Sequence, residues 1–514
     1  METAAAKLKT NRACRPDNIQ NELLKHADPI VYKVYAETIN ESFIGKGLIT
    51  PLQKPDKPKG PMSNLRPLTL LNGSRKMLTQ VTLSRIEQRI DDYTMSWQSA
   101  YKRGRSCADI VWAQRMLASV VTRKEWTFNK MGIDMSRAFD TVKKDTIMRV
   151  LEDAGCTEDD IRLVQYLLSN TCLRVRVNCS LSEEFESLLG AFQGDSLSGK
   201  LFTLVLAGAL NHLRTVFGRP NPPISSFGVP TEWQYSDDCD FADDDMEYLE
   251  SSLPQVKAVL GEWNLLVNGI KTEFNPIYLA STDDRDESGQ KLSGNEPWRT
   301  SKSLGSLLCT EKDITRRRRL AEAAFTKFKK VWITSKKISL NRKLMLYDAQ
   351  VVSVLLYNCN SWCPRQATLD KIDTLHRRHL RVILNYKGWP NGQISNKALY
   401  ARCNIAEKLS GRIERQRWNM FGHILRLDEN TPAQLALLFA IEAEEKLTGR
   451  WGRPRMNLFS VLIKDLQARN LSMKNFDEYN EIRDIAACKR CWLNLYGHRL
   501  YLGVLINHSF YTIL

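Results

Sequence analysis

The stretch "WQYSDDCDFADDD", Trp233 to Asp245, carries two Asp-Asp pairs six residues apart. Like charges this close repel, so such crowding needs a counter-ion or full solvation. Asp237-Asp238 lies between two strand-like stretches, "WQY" and "CDF". At the tip of a tight hairpin its carboxylates would project from a rigid support. Asp243-Asp244-Asp245 instead precedes a helical pattern, where acids suit a helix N-terminus through capping and the dipole. The first pair is therefore the metal candidate, and the second is read as structural. A third carboxylate, Asp134, ends the strand-like "WTFNKMGIDMS" far upstream. Carboxylates converging from separate elements are what two-metal phosphoryl transfer needs, one ion lowering the pKa of an attacking hydroxyl and the other stabilising the leaving pyrophosphate. Mg²⁺ takes hard oxygen ligands and keeps some water, so two or three carboxylates plus substrate phosphates suffice. Asp140, flanked by Phe139 and Val142, reads as opening the following helix.

The elements that must carry these groups follow from periodicity and turn signals. "LRPLTLLN" reads as extended, and "SRKMLTQVTLSRIEQRI" and "CADIVWAQRMLASVV" as helices. "KKDTIMRVLEDAG" is a helix stopped by Gly155. "LRVRVNCSLSEEFES" alternates as a hairpin does, and "SLSGKLFTLVLAGALNHLRTVF" is a long helix. "TEWQYSDDCDFA" reads as strand, turn, strand. "DDMEYLESSLPQVKAVLGEWNLL" reads as a helix kinked or broken at Pro254. Residues 278–300 are polar and loop-like. From Asp313 onward helices dominate, so the first ~310 residues look α/β or α+β and the remainder helical.

Length bounds the chain to several domains: 514 residues exceed one ordinary core. Hydrophobic content of 43% and charged content of 26% describe a folded globular chain. The net charge of +16 argues for a polyanionic partner, nucleic acid being the commonest, against a charge serving only solubility. Arg316–Arg319, Lys327–Lys330 and His376–Arg381 form basic clusters interleaved with Trp332, Trp362, Trp389, Trp418 and Trp451. They read either as solvated helix faces or as backbone-plus-stacking contacts to nucleic acid. No apolar run reaches the ~18 residues that span a bilayer, and no secretory signal opens the chain. Twelve scattered cysteines fit a reducing intracellular compartment. Cys488 and Cys491, with His498 beyond, are a possible zinc site of uncommon spacing; cysteines on a helix beside Trp492 are the competing reading.

The ordered set of motifs resembles the reverse transcriptases of non-LTR (LINE-type) retrotransposons. "LKTNRACRPDNIQNELLK" resembles the family's opening segment, and "NLRPLTLLN" and "QSAYKRGRSCADIV" resemble its fingers motifs. "DMSRAFD", "GAFQGDSLSGKLFTLVL", "YSDD", "LLVNGIKTEF" and "KSLGSLL" are similar to its palm motifs in order. "LLYNCNSW", "RVILNYKGWPNGQISN", "FGHILRL" and "GRWGRPR" resemble its thumb and the region after it.

The resemblance implies an α/β (α+β) right-hand polymerase of fingers, palm and thumb followed by a mostly helical basic C-terminal region. Residues 1–45 would extend the fingers and 46–308 would form fingers and palm. Residues 309–400 would form the helical thumb and 401–514 the basic helical region. Asp134, Asp237 and Asp238 would be catalytic and bind two Mg²⁺ ions, with Mn²⁺ able to substitute. Phe139, five residues after Asp134, would clash with a 2′-hydroxyl and so select deoxynucleotides. Gln193 and Gly194 would shape the nucleotide pocket, Arg66 would bind the triphosphate, and Lys271 would lie near it or the leaving pyrophosphate. Leu304, Gly305 and Ser306 would form a primer-gripping turn, with Arg103 and Arg105 contacting template or nucleotide, if they are not plain surface residues.

The implied activity is RNA-directed DNA synthesis, extending a DNA primer on an RNA template with dNTPs. The implied setting is intracellular, in the nucleus, without a membrane. Departures from the family's pattern are "RPDN" at residues 15–18, Ser196 and Gly199 at positions where the family commonly has Pro, and Ser236 where it has Ala. No upstream endonuclease is read in the chain, so it is expected to be a fragment or a separate piece of an element that does not nick its own target by that route. The rivals are a catalytically decayed remnant and a maturase-like protein that binds nucleic acid without synthesis. Retention of Asp134, Asp237 and Asp238 favours the enzyme.

Overall fold

The segment "FNKMGI" alternates, and that alternation builds the centre of the molecule. In the strand Asn129–Ile133, Met131 and Ile133 enter one core while Phe128 and Lys130 turn to the opposite side. This computed structural model describes residues 2–497 apart from 9–19, 39–45, 55–57, 125–127, 170, 179, 218–230, 278–300, 387–393 and 446–455. Asn129–Ile133 is an inner strand of a four-stranded antiparallel sheet. Its order is Glu273–Pro276, Asn129–Ile133, Asp238–Asp243, Glu232–Tyr235. The last two strands are the expected hairpin.

Each face of this sheet is covered differently. One face meets the helices Lys144–Asp153, Glu158–Ser169, Ser198–Phe217 and Met246–Glu262. Ser198–Phe217 is apolar nearly all round because it is wedged among neighbours, burying Leu201, Phe202, Leu204, Val205 and Leu206. Met246–Glu262 runs unbroken through Pro254, against the expected kink or break. Its packing of Leu249, Val256, Val259 and Leu260 holds it helical despite the lost donor. Asp245 caps it by accepting from Tyr248 N at 3.1 Å, and Asp243 Oδ1 accepts from Asp245 N at 3.0 Å. The second aspartate cluster is therefore structural. A separate sheet pairs Lys46–Gln53 antiparallel with Leu65–Leu71 and parallel with Cys172–Val177.

The other face of the central sheet packs on the helix Cys107–Lys124. That helix is itself buried beneath the C-terminal helices Leu409–Leu425, Pro432–Glu445, Leu458–Gln467 and Phe476–Ala487. Trp112, Met116, Leu117 and Val121 share one core with Trp418, Phe421, Leu437, Phe439 and Leu462. Trp418 and Trp492 stack at 4.1 Å and exchange indole N–H to carbonyl bonds of 3.0 Å in both directions. Gly422 makes room for this pair, since a Cβ there would lie 2.2 Å from Trp492 Nε1. A third core belongs to the helices from Thr310 to Arg402, with Ile314, Phe325, Trp332, Tyr347, Trp362 and Leu375. Leu409–Leu425, beyond residue 400, spans two cores. Its Ile413 enters this third core, while Trp418 and Phe421 enter the other.

Several sequence expectations change here. Trp332, Trp362 and Trp418 are core residues with 6%, 0% and 0% exposure, so they do not stack on nucleic acid. Large indoles among charges are equally compatible with the buried face of an amphipathic helix, and packing decides it. Trp389, Trp451, "RPDN", His498 and residues 278–300 fall outside the described residues. Cys488 and Cys491 pair with each other in a disulfide at the start of the last described helix. Trp492 beside them is fully buried.

A chain ending near residue 310 would strip the cover from Cys107–Lys124 and expose its apolar face. We expect it to aggregate or unfold, read by circular dichroism and gel filtration. A second expectation concerns acid. Burial holds His376 and His379 down to about 4 from their ordinary 6.5; Phe325 stacks on His379 at 3.8 Å and Tyr347 Oη bonds its Nδ1 at 3.1 Å. The unfolded chain protonates them below about 6.5 while the folded chain keeps them neutral, so stability present above 6.5 should fall as pH drops towards 4. Melting temperature against pH should show that decline, and a His376→Phe, His379→Phe double variant should flatten it.

Candidate active site

Antiparallel register brings the acids together. Ile133 pairs with Cys239, so one further step along both chains sets Asp134 beside Asp238 at the open end of the sheet. The hairpin turns at Ser236-Asp237 directly before it, with Ser236 in the left-handed region at φ 60°. The effect on the carboxyls is mutual. Loss of surrounding water, then the charges of Asp237, Asp240 and Asp134, push Asp238 up to about 6. Asp238 is open to solvent on one side, which moderates this. Asp237 is also raised, chiefly by loss of water, while Arg66 on the strand Leu65–Leu71 pulls in the other direction. Below them, Asp240 is held by buried Lys130 at 3.2 Å and by Gln114 Nε2 at 2.6 Å.

Hard oxygens repelling one another around a solvent-reached cleft fit a divalent cation. Among the described residues, however, no three His, Cys, Asp or Glu side chains are already gathered closely enough to hold an ion. Lys271 Nζ sits 2.8 Å from Asp134 Oδ2, both groups being partly exposed. The positive charge at Asp134 is supplied by this lysine, which comes from the turn after Leu266–Val267 and is anchored by Lys271 N to Asn268 O at 3.1 Å. Asp134, Asp238 and Lys271 thus line one cleft, with Asp237 on the turn directly before Asp238.

A cleft of about 250 Å³ opens beside Asp134, Asp238 and Lys271 and is closed opposite by Lys302, Leu304 and Gly305. Lys302–Ser303 and Ser306–Leu307 form a hairpin whose two-residue turn has φ 47° at Leu304 and 76° at Gly305. Positive φ at both positions is the hairpin turn that follows strand twist, and it strains leucine. The turn is held from behind. Tyr357 Oη donates to Leu304 O at 3.0 Å, Arg316 and Arg317 donate to Gly305 O, and Asn358 Nδ2 donates to Ser306 Oγ at 3.1 Å. Arg317 also stacks over Tyr357 at 4.3 Å. Two of the four arginines read as a surface cluster are therefore braces for this turn.

Phe139 and the Gln193 loop lie on the other side of the aspartates. Phe139 stacks on Phe202 at 4.5 Å and is partly buried. Thr69 N donates to Gln193 O at 2.8 Å, and Gln193 Nε2 reaches Asp140 Oδ1 at 3.4 Å. Gly194, at φ 118°, passes so close to the Leu65–Leu71 strand that a Cβ would lie 2.6 Å from Thr69 O. Asp195 pairs with buried Arg75 at 3.6 Å, and Ser196 Oγ lies 3.3 Å from Thr79 Oγ1, a contact proline could not make. Arg103 is exposed. Arg105 instead spends its guanidinium on Asp109 at 3.3 Å, Ser99 Oγ at 2.9 Å and Ser96 O at 3.2 Å, bracing its own loop.

Residues 52–290 match the family described as reverse transcriptase (RNA-dependent DNA polymerase). The match covers a little under half of the chain. The matched segment contains all three aspartates, Arg66, Phe139, Gln193, Gly194 and Lys271, while the turn at Leu304–Ser306 lies just beyond it. A Pol polyprotein of the type-1 retrotransposable element R2 from Popillia japonica is 28% identical over 159 residues. That alignment covers 30% of this chain and 22% of the polyprotein, so the match spans about a fifth of that relative. The family match and the R2 relative agree with the non-LTR resemblance read from the motifs. Among solved structures, telomerase from Candida tropicalis with a TWJ fragment of telomeric RNA gives a TM-score of 0.37 at 11% identity, over 82% of this chain and 68% of that one. Telomerase from Candida albicans gives 0.38 at 11% identity, over 91% and 69%. The described residues form a fold of mixed helix and sheet, with the central sheet inside the matched segment and a helical region after it.

The residues that sequence reasoning missed are those that hold the site. Arg115, fully buried in Cys107–Lys124, donates to Asp313 Oδ2 at 2.8 Å, Leu307 O at 2.6 Å and Ser361 Oγ at 2.7 Å. Asp313 also accepts from Leu307 N at 3.1 Å and Trp362 Nε1 at 2.9 Å. Asp313→Ala should cost about 3–5 kcal/mol, because it strands a buried guanidinium. Urea unfolding checks this, and Asp313→Asn, which keeps an accepting oxygen but not the charge, should cost less.

Proposed function

We propose that the chain is an RNA-directed DNA polymerase of a non-LTR retrotransposon, extending a DNA primer on an RNA template with dNTPs. The observation that carries this reading is the meeting of Asp134, Asp237 and Asp238 at one end of the central sheet, within the segment that matches the reverse transcriptase family, across a cleft from a braced hairpin turn. The family uses divalent ions. Asp134, Asp237 and Asp238 would hold two of them, Mg²⁺ or in its place Mn²⁺. Bound there, they would assist attack of the primer 3′-hydroxyl and stabilise the departing pyrophosphate.

The chain's own residues divide the remaining work. Lys271, 2.8 Å from Asp134, would be placed to meet the triphosphate or leaving pyrophosphate. Arg66, exposed on its strand, presents a guanidinium to the phosphates. Phe139, stacked on Phe202, blocks the space a 2′-hydroxyl would need. Gln193 and Gly194, fixed on Thr69, shape the pocket for the base. Leu304, Gly305 and Ser306 hold the primer terminus. Arg103, together with exposed Arg319, Lys327, Lys329 and Lys330, offers charge to nucleic-acid phosphates. We place the enzyme's work in the nucleus, where the DNA primer is.

Primer extension on a primed RNA tests the reading. The full chain with Mg²⁺ should add dNTPs. Asp237→Ala should lower synthesis by at least about 10³-fold, as loss of a metal-binding, charge-stabilising group does. It should leave primer–template affinity nearly unchanged, since affinity rests on phosphate contacts. Asp244→Ala should keep near-normal synthesis. Binding without synthesis by the unaltered chain would instead support the decayed or maturase-like reading.

A further inference from the structure

The segment Trp97–Tyr101 lies alongside the aspartate hairpin as an extra edge. Ser99 N donates to Gln234 O at 2.9 Å, and Gln234 N donates to Trp97 O at 3.2 Å. Gln98 is fully buried and grips the hairpin turn from both sides. Its Oε1 accepts from Ser236 N at 2.9 Å, and its Nε2 donates to Ser236 O at 3.3 Å. The same Oε1 accepts from Ala100 N at 2.9 Å, which fixes the direction in which the chain leaves towards Tyr101.

Tyr101 is an aromatic residue with no core to fill. It is 48% exposed, and its backbone stands in the left-handed region at φ 57°. Such a conformation costs a bulky residue about 1–3 kcal/mol and persists where surroundings over-determine it. Three contacts do so here. The ring meets Phe139 edge-on at 6.4 Å and 80°. It lies on Gly199 of the long helix so closely that a Cβ there would be 2.5 Å from it. Its hydroxyl accepts from Ser236 Oγ at 3.4 Å, one residue before Asp237. The two departures from the family pattern at Gly199 and Ser236 thus meet on one side chain: glycine admits the ring, and serine supplies a donor to its hydroxyl.

Resting on the polymerase reading above, we propose that Tyr101 is a specificity-determining residue for the incoming deoxynucleoside triphosphate. Its exposed face and Phe139 form an aromatic corner beside Asp237. An incoming sugar that must avoid Phe139 is confined on its second side by Tyr101. The hydroxyl bond to Ser236 ties this corner to the turn carrying the metal-binding aspartates, so the position of the sugar and that of the acids are set together. A ring serving only as packing would have been buried, and a ring serving only the hairpin would not need an open face.

Single-nucleotide addition by the full chain on a primed RNA tests this, with KM and kcat measured for a dNTP and its matching rNTP and primer–template affinity measured separately. Tyr101→Ala should raise the dNTP KM by about threefold to tenfold, the size of an aromatic contact, and lower dNTP-over-rNTP discrimination. Primer–template affinity should stay unchanged. Tyr101→Phe should give a smaller effect, and in that background Ser236→Ala should add nothing, because their shared bond is already gone. Should Tyr101→Ala not fold, Tyr101→Leu reads the same quantities with the space filled. An unchanged dNTP KM and discrimination, or a loss confined to primer–template affinity, overturns the assignment. Absence of any product from the unaltered chain is a different failure: it removes the polymerase reading itself, and this assignment with it.

Discussion

A carboxylate with no solvent exposure holds the sheet-built half of the molecule to the helical half. Asp313, in the first turn of Thr310–Phe328, accepts from Arg115 on the far side of the central sheet, from Leu307 beside the cleft turn, and from Trp362 in the third core. Taking such a pair out of water costs several kcal/mol per ion unless the remaining hydrogen-bonding capacity is filled. Here much of it is. Both Asp313 oxygens accept, and Arg115 spends its terminal nitrogens on Asp313, Leu307 O, Ser361 Oγ and Asn358 O. An apolar trio could pack as tightly but could not specify register, because only directed bonds distinguish Leu307 from its neighbours along the turn. The strained Leu304-Gly305 turn is therefore positioned from Arg115, Asp313 and Arg317 and needs no bound primer to define it.

The other side of the site is set by register. Once Ile133 faces Cys239, Asp134 must face Asp238, and slipping by one residue would turn Met131, Ile133 and Cys239 out of their core. Apolar burial in the sheet thus holds together carboxylates that repel one another at its end. The helix Cys107–Lys124 links the two sides. It touches the sheet through Trp112 and Trp233's core, carries Arg115 to Asp313, and sets Gln114 on Asp240. Burying this helix under C-terminal helices is what makes its polar side chains reliable anchors.

These relations explain which parts were legible in the sequence. The hairpin and the capping role of Asp243 and Asp245 follow from alternation and capping, which are local signals, whereas Asp134 was joined to Asp237 and Asp238 only through the chemistry two metals would need and through resemblance. Lys271 and the Leu304–Ser306 turn were legible only through resemblance, since a lysine after "NGI" or a short "LGS" has many other uses. Trp332, Trp362 and Trp418 misled because an indole among arginines looks the same whether it faces solvent or a neighbouring helix. Arg115, Asp313 and Gln98 left no signal. Their partners lie far away in sequence, and a buried ion pair is invisible until the fold brings both ends together. Arg105 was read as reaching outward, but Asp109, four residues on, captures it at 3.3 Å.

Lys271 shows how a crowded acidic site stays intact. Carboxylates crowded at the end of a sheet repel, and loss of water with neighbouring acids raises both Asp237 and Asp238. Lys271 meets Asp134 at 2.8 Å, while buried Lys130 holds Asp240 at 3.2 Å. The two lysines are not equivalent. Lys130 is nearly inaccessible, so its charge is a fixed part of the floor. Lys271 is more than half exposed on a flexible stem, and a surface pair of this kind contributes only about 0–1 kcal/mol, so it yields readily to a stronger cation. The weak pair thus stands at the cleft and the buried pair in the floor, so the hairpin stays anchored by Lys130 whatever Lys271 does.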